Sequence, residues 1–346
     1  MFRGCFRDLT PSECWPMPLD NAARSAGRQA GTLRDYIAIA RPDHWVKHVF
    51  IVPGLVAAYM LTPGVALQGF AFNLVVGFTS ACLIASANYV INEWLDAEYD
   101  RHHPLKLTRP AAAGRLHPAA VYVEYVLLAI AGLILAMLID RLFLLASMVF
   151  LISGIAYNIP PLRTKDRVFF DVLSEAVNNP IRLVLGWSMI STTTVPPLSL
   201  FGAFWMGGAF LMAAKRLSEF RFIENEKGVG GPGMYRRSFK FYTIESLTLS
   251  CFMYTILAVF LIAVFLLKYR EEYVLSFPLI AVLFGYYLHL GLQPASVAQR
   301  PETLHKDRGL VAIVIGLSAV LVLLSFIDLP LVRHLVQSTF MEIRLD

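Results

Sequence analysis

Long runs of apolar residues, separated by short polar segments, follow one another along most of the chain. A run of roughly 18 or more apolar residues predicts a transmembrane helix, because a helix of that length crosses the hydrocarbon core of a bilayer. Lipid offers the backbone no hydrogen-bond partner, so each span must be helical. The pattern therefore predicts an all-α, polytopic membrane protein with about nine transmembrane helices, at residues 45–61, 70–94, 119–139, 142–157, 171–191, 198–222, 241–267, 274–292 and 309–327.

The composition agrees with this fold class. The 346 residues are 57% hydrophobic and only 16% charged, whereas soluble domains carry about 25% charged residues. The four cysteines are scattered and form no CxxC pair, which argues against a zinc site or a disulfide framework. We expect three parts: a loosely ordered cytoplasmic N-terminal extension at 1–40, a transmembrane transferase domain at 41–330 and a C-terminal tail at 331–346.

Lysine and arginine are concentrated in alternate loops. Most of the 30 basic residues lie in the N-terminal segment and in the loops after the second, fourth, sixth and eighth spans. Cytoplasmic loops carry this excess, so these segments are predicted to face the cytoplasm. In a bacterium the protein would lie in the cell or inner membrane. The net charge of +5 then reflects topology and contact with anionic lipids, and predicts no nucleic-acid partner.

A stripe of polar side chains closes the second span. Asn88, Asn92, Asp96 and Asp100 recur every four residues, so on a helix they share one face. Carboxylates beside amide oxygens suit a hard cation, and Mg²⁺ prefers a few carboxylates together with phosphate oxygens and water. A solvated helix end is the alternative, but acidic residues at a helix C-terminus oppose its dipole.

Basic residues follow this stripe at once, at Arg101, Lys106 and Arg109. A diphosphate needs such neighbours, because the metal bridges some phosphate oxygens and guanidinium forks bind others. The alternative is that these charges set the topology and contact lipid headgroups. Within the preferred interpretation, all three are candidate substrate-binding residues.

A second acidic pair opens the fifth span. Asp171 and Glu175 lie one helical turn apart, and Arg182 follows deeper in the same span. A charge inside a span is costly and indicates a functional site by default. A structural contact of Arg182 with Glu175 or Asn178 is the alternative.

Two further basic sets complete the candidate site. Lys215 and Arg216 end the sixth span, where Lys215 is also spaced to form an ion pair with Glu219. Lys47 lies near the start of the first span, beside Trp45. Each is a candidate phosphate ligand.

With these motifs in place, the chain resembles the UbiA superfamily of intramembrane prenyltransferases over roughly residues 35–330. The superfamily's first motif, N-D-x-x-D-x-x-x-D, corresponds to Asn92-Glu93-x-x-Asp96-x-x-x-Asp100, with Glu93 in place of Asp. Its second motif, D-x-x-x-D, corresponds to Asp171-x-x-x-Glu175. The resemblance implies nine helices around a central cavity.

Within the superfamily, the chain is most similar to the decaprenyl-phosphate phosphoribosyltransferases. The matching stretches are R-P-x-x-W-V-K at residues 41–47, D-R-x-H-P-x-K-x-x-R-P-x-A-A-G at residues 100–114, K-R-x-x-E at residues 215–219 and D-R at residues 307–308. This likeness implies transfer of phosphoribose from phosphoribosyl pyrophosphate to a polyprenyl phosphate.

The preferred hypothesis is an enzyme that expels pyrophosphate from a pyrophosphate-bearing donor, with a polyprenyl lipid as substrate. Mg²⁺ is assigned to Asn92, Asp96, Asp100, Asp171 and Glu175, and the four acids among them are the catalytic candidates. Substrate binding is assigned to Lys47, Asn88, Arg101, Lys106, Arg109, Arg182, Lys215 and Arg216.

Two alternatives remain. One is a polyprenyl-diphosphate:aromatic prenyltransferase of the 4-hydroxybenzoate type, which shares the metal motifs and needs a general base. The other is a transporter, although transporter sites tend to lie at the bilayer midplane. A homo-oligomer is compatible with either enzyme.

Overall fold

The computed structural model describes residues 31–62, 64, 69–101, 106–228, 230–293 and 301–332. Within these ranges every regular element is helical and no strand occurs. Seven helical segments are long and apolar enough to cross a membrane, at Leu33–Leu61, Phe70–Asp100, Pro118–Met137, Arg141–Asn158, Leu198–Glu226, Ile244–Tyr269 and Glu271–Leu292. The predicted all-α fold is confirmed, whereas the count of nine spans stays a prediction.

Twelve α-helices are present in the described ranges, and short 3₁₀ segments join several of them. In chain order the helices are α1 (Leu33–Ile39), α2 (Val52–Leu61), α3 (Phe70–Asp100), α4 (Pro118–Met137), α5 (Arg141–Asn158), α6 (Phe170–Ala176), α7 (Asn178–Ser188), α8 (Leu198–Lys227), α9 (Gly231–Tyr235), α10 (Ile244–Tyr269), α11 (Phe277–Leu292) and α12 (Arg308–Leu324). The 3₁₀ segments are Pro42–Ile51, Thr164–Asp166, Arg237–Lys240, Glu271–Ser276 and Pro301–Lys306.

The fifth and ninth predicted spans account for the difference between nine and seven. The fifth is divided at Val177 into α6 and α7. Pro180 explains the break, because it has no N–H to donate to the carbonyl of Ala176 and its ring collides with that carbonyl. The ninth corresponds to α12, whose 17 residues make it shorter than the other candidates.

The start of the first span differs from a single helix. Thr32 and the carboxylate of Asp35 form a capping box that begins α1, and a 3₁₀ segment then leads into α2 with Pro53 in its first turn. Of the predicted extension 1–40, residues 1–30 lie outside the described part of the chain, as do residues 333–346 of the predicted tail.

The chain divides into two compact units. The first comprises Met1–Thr193 together with Gly233–Phe241, and the second comprises Thr194–Pro232 together with Tyr242–Asp346. In the first unit α3 packs against α4 and α5, and α2 packs against α7. Buried apolar side chains such as Ile84, Phe143 and Leu185 form its core.

Helix ends in both units follow local sequence signals. Asp140 caps α5 by accepting a hydrogen bond from the N–H of Phe143, and Asp307 caps α12 through the N–H of Leu310 at 2.8 Å.

In the second unit α8 packs against α10 and α11, where Phe210 contacts the ring of Phe284 at a centroid distance of 4.8 Å. Large apolar side chains such as Leu127 remain on the surface, as lipid contact requires.

Two glycines allow α2 and α7 to approach closely. A Cβ on Gly54 would lie 2.1 Å from the carbonyl oxygen of Leu183, and a Cβ on Gly186 would lie 2.0 Å from that of Ile51. Small residues at such positions are the usual way in which membrane helices bring their backbones together. These contacts position α7, which carries Arg182.

We expect Gly186→Ala to destabilise the protein by about 1–3 kcal/mol, because the added methyl group meets backbone that cannot rotate away. The measurement is the thermal unfolding midpoint in detergent. Gly207→Ala, in α8, is the matched control, since nothing lies within 4 Å of its added Cβ. The control should be neutral or stabilising by up to about 1 kcal/mol. Equal midpoints for the two variants would contradict the proposed close packing.

Candidate active site

The last two turns of α3 present the first acidic motif to a cationic loop. The Oδ1 atom of Asp96 lies 2.6 Å from Nζ of Lys165 and 3.6 Å from Nη2 of Arg163. Both cations belong to the loop between α5 and α6. Asp96 therefore connects the first motif to the segment that leads into the second motif.

Asn158, the last residue of α5, holds this arrangement in register. Its Oδ1 atom accepts hydrogen bonds from Nδ2 of Asn92 at 2.6 Å and from Nζ of Lys165 at 2.9 Å. Its own Nδ2 donates to the carbonyl of Gly154 at 2.9 Å. Burial lowers the pKa of the Lys165 ammonium to about 8, while the adjacent Asp96 carboxylate opposes that fall.

The second motif lies on α6, and its first carboxylate is fully enclosed. Asp171 is 0% exposed. It accepts a hydrogen bond from Oγ of Ser238 at 3.1 Å, and Nη1 of Arg236 lies 3.7 Å from it. Glu175, one turn later, accepts a hydrogen bond from the hydroxyl of Tyr157 at 3.0 Å.

Arg236 is the residue on which the two motifs converge. Besides Asp171, it contacts the hydroxyl of Tyr157 at 3.4 Å, and its charge acts on Asp96 and on Lys165. The structure thereby assembles one group of oxygen ligands and cations within the first unit. We call it the acidic cluster and define it as Asn92, Asp96, Asp171, Glu175, Arg163, Lys165 and Arg236.

Asp100, the last acid of the first motif, is paired elsewhere. Its buried carboxylate forms an ion pair with Arg109, and the charge of Arg109 also acts on Glu93. Glu93 in turn lies 3.4 Å from Nε of Arg41. The structure therefore places Glu93 and Asp100 in a second ion-pair group, with Arg41 and Arg109.

Three of the predicted substrate-binding residues contact other parts of the first unit. Nε of Arg101 donates to the carbonyl of Ala112 at 2.9 Å. Lys106 donates to the hydroxyl of Tyr235 and lies 4.5 Å from the centre of its ring. Lys47 lies 3.0 Å from Nδ1 of His44.

The other predicted residues divide between the units. In the first, Nδ2 of Asn88 donates to the carbonyl of Phe150 at 2.9 Å, and Arg182 is buried on α7. Lys215 and Arg216 belong to α8 in the second unit. There Nη1 of Arg216 lies 3.1 Å from Oε2 of Glu219. Arg216 therefore forms an ion pair with Glu219 at the i,i+3 spacing.

Sequence reasoning did not single out Arg236, Tyr157 or Asn158. In the sequence, Arg236 is one of several basic residues in a loop whose charge indicates topology. Its available signal is its position after a glycine-rich stretch, where Gly228 and Gly230 have positive φ and let the chain turn back. Asn158 and Tyr157 lie at the polar end of an apolar helix, which is a weak signal.

The atoms with which the acidic cluster could coordinate a metal ion are all carboxylate or amide oxygens. Among the described residues, no three Asp, Glu, His or Cys side chains converge to form a metal site. One or two carboxylates per ion, completed by an amide, water and substrate phosphate oxygens, is the usual way in which proteins hold Mg²⁺. The cluster therefore fits a hard divalent ion that arrives with a phosphorylated substrate better than a site built entirely from protein ligands.

The chain matches known proteins in both sequence and fold. The sequence model of the UbiA prenyltransferase family matches residues 50–305. A solved structure of a UbiA homolog from Archaeoglobus fulgidus bound to DMAPP and Mg²⁺ aligns with a TM-score of 0.61 at 21% identity, covering 85% of this chain and 100% of that one. This likeness establishes the fold.

The alignments with curated relatives cover a smaller share of both chains. Decaprenyl-phosphate phosphoribosyltransferase of Mycolicibacterium smegmatis is 27% identical over 59% of this chain and 63% of its own length, and that of Mycobacterium tuberculosis is 31% identical over 56% and 63%. Nodulation protein NoeC of Azorhizobium caulinodans is 27% identical over 62% and 66%. The chain thus spans less than two thirds of the length of these relatives.

Proposed function

Because this chain belongs to the UbiA prenyltransferase family, and is therefore an integral membrane protein, we propose that it is a transferase that moves phosphoribose to a polyprenyl phosphate. The donor is phosphoribosyl pyrophosphate, and pyrophosphate is released. The single observation that carries this proposal is the convergence of both acidic motifs on Arg236, with Lys165 and Arg163 beside them. Phosphoribosyltransferase relatives support the choice of substrates.

Magnesium is the proposed cofactor, and the oxygen-only donor set fits it. Asp96 and Asp171 are the principal ligands in this proposal, and Asn92, Asp100 and Glu175 complete the set. When bound, the ion would neutralise negative charge on the departing diphosphate.

The cations of the acidic cluster are proposed to bind the diphosphate. As the bond between ribose C1 and the diphosphate oxygen breaks, its electron pair leaves on that oxygen. Arg236 and Lys165 stabilise this charge, because fixed donors in a water-poor site act strongly on charge that develops during reaction. Further ligands for phosphate groups elsewhere on the two substrates are proposed at Lys47, Asn88, Arg101, Lys106, Arg109, Arg182, Lys215 and Arg216.

The pairing of the carboxylates favours a phosphate acceptor over an aromatic one. A lipid phosphate is already anionic and attacks C1 without losing a proton to a base. An aromatic acceptor must lose a proton to a base within hydrogen-bonding reach. Asp96, Asp100 and Asp171 are each engaged in an ion pair with Lys or Arg, so their oxygens already have cationic partners.

The proposed reaction takes place on the cytoplasmic side. The basic loops that carry Lys165 and Arg236 are the ones that the positive-inside rule assigns to the cytoplasm. Residues 41–330 are the proposed transferase domain, flanked by the extension 1–40 and the tail 331–346.

The test offers purified protein two substrate pairs. One pair is phosphoribosyl pyrophosphate with polyprenyl phosphate, and the other is polyprenyl diphosphate with 4-hydroxybenzoate. Pyrophosphate release is measured with Mg²⁺ and with a chelator. We expect Mg²⁺-dependent release from the first pair alone. Release from the second pair alone would replace the proposal with the aromatic prenyltransferase, and saturable ion flux without any pyrophosphate release would indicate a transporter.

A further inference from the structure

Arg182 is a buried cation for which the described residues supply no ion-pair partner. Its side chain is enclosed in the first unit, with the residue 6% exposed. Nη1 makes only two long contacts, at 3.4 Å each, to the carbonyl of Asn178 and to Oδ1 of Asn179. Nε has no hydrogen-bond partner within the described part of the chain. The guanidinium lies over the ring of Phe150, 5.1 Å from its centre.

His48, on a neighbouring element, is likewise a buried side chain with a nitrogen that lacks a hydrogen-bond partner in the described chain. It is 2% exposed on the 3₁₀ segment that packs against α7, and its Nδ1 atom has no partner among the described residues. That segment packs against α7, the helix that carries Arg182, and the positive charge of Arg182 acts on the His48 imidazole. Two buried nitrogen groups from different elements therefore lie near each other with unused hydrogen-bonding capacity.

This arrangement is unfavourable for the protein alone. A buried charge without a partner is strongly destabilising, and a buried unpaired nitrogen adds to that cost. Glu175 acts on Arg182 through its charge, but Glu175 is already hydrogen-bonded to Tyr157. Positions that break a stability rule in this way are expected at functional sites.

We propose that Arg182 and His48 form a second anion subsite, separate from the acidic cluster, that binds a phosphate monoester. The guanidinium offers a donor fork that matches phosphate oxygens, and the imidazole supplies a further N–H in the tautomer protonated at Nδ1. No carboxylate lies within ion-pairing distance of Arg182 in the described chain, so the subsite suits a phosphate held without a metal.

This inference rests on the proposed function, in which both substrates carry a phosphate monoester. One is the 5-phosphate of the ribose donor, and the other is the phosphate of the lipid acceptor. The diphosphate is assigned to the acidic cluster. The subsite thus provides a way to hold one monoester while the cluster holds the leaving group, and the two monoesters are separate arms of the test.

The experiment measures binding to detergent-solubilised protein by calorimetry. The probes are ribose 5-phosphate, farnesyl phosphate, and pyrophosphate with Mg²⁺. The variants are Arg182→Met and His48→Leu, and the matched control is Arg270→Met, an arginine of the second unit that pairs with Glu272 and Asp328. We expect each site variant to weaken binding of one monoester about tenfold or more. Pyrophosphate binding should stay within about twofold, and the control should match the wild type.

The identity of the weakened monoester assigns the subsite to donor or acceptor. Wild-type affinity for both monoesters in both variants would overturn the inference, as would equal weakening of pyrophosphate binding. If Arg182→Met does not fold, His48→Leu alone tests the subsite. This variant is expected to fold, because leucine replaces a buried imidazole whose Nδ1 lacks a partner among the described residues. Wild-type protein that fails to bind pyrophosphate with Mg²⁺ would instead contradict the proposed function.

Discussion

Replacing Asp96 with alanine is expected to lower the rate of pyrophosphate release about a thousandfold or more, with folding and membrane insertion retained. The variant removes a proposed metal ligand and takes away the carboxylate that lies 2.6 Å from Lys165. Both losses weaken the stabilisation of negative charge on the leaving diphosphate. The measurement is a single-turnover assay of pyrophosphate release, with size-exclusion chromatography to verify the fold.

Asp166→Ala provides the matched control for this variant. The side chains of Asp96 and Asp166 have the same exposed fraction, 20%, and both lie beside Arg163. Asp166 belongs to neither motif, so its loss should lower the rate by at most about tenfold. Similar rates for the two variants would contradict the assignment of Asp96 to the metal.

Replacing Arg236 with glutamine is expected to lower kcat/KM for phosphoribosyl pyrophosphate about a hundredfold. Glutamine can still donate a hydrogen bond, but it removes the charge that acts on Asp96 and Asp171. Steady-state kinetics with varied donor and fixed lipid acceptor measure the effect. Arg236→Lys should recover part of the activity, since it restores the charge without the fork.

The neighbouring Arg237 supplies the control. Its side chain is 42% exposed and lies 3.8 Å from Asp166, and exposed ion pairs contribute little. Arg237→Gln should therefore keep kcat/KM within about threefold of the wild type. A loss as large as that of Arg236→Gln would show that the general positive charge of the loop matters and that Arg236 has no special position.

The helical architecture was predictable because membrane burial imposes a simple rule. Each long apolar run must satisfy its own backbone, so the runs in the sequence translate directly into helices. The division of the fifth span at Val177, a departure from this rule, has its cause in Pro180. The sequence contains that signal, but hydropathy alone does not register it.

The candidate site was predictable only in part. The spacing of Asn92 and Asp96 depends on a single helix, and a helical period is enough to place them on one face. The convergence of Arg236 on Asp171 depends on the path of the chain between α8 and α10, for which no period exists. Likewise, the i,i+4 spacing indicated a pair of Glu219 with Lys215, whereas the contact of Glu219 with Arg216 became visible only in the structure.

The break at Val177 also determines how the second motif is stabilised. A helix of 7 residues is too short to persist by itself, because isolated helices shorter than about 12–15 residues are marginal in water. The helical state of α6 is therefore supplied by its surroundings, including the contacts of Asp171 with Ser238 and Arg236. Substitutions in the segment 233–241 will consequently change the geometry of the second motif. We expect this segment and α6 to unfold together as one cooperative unit.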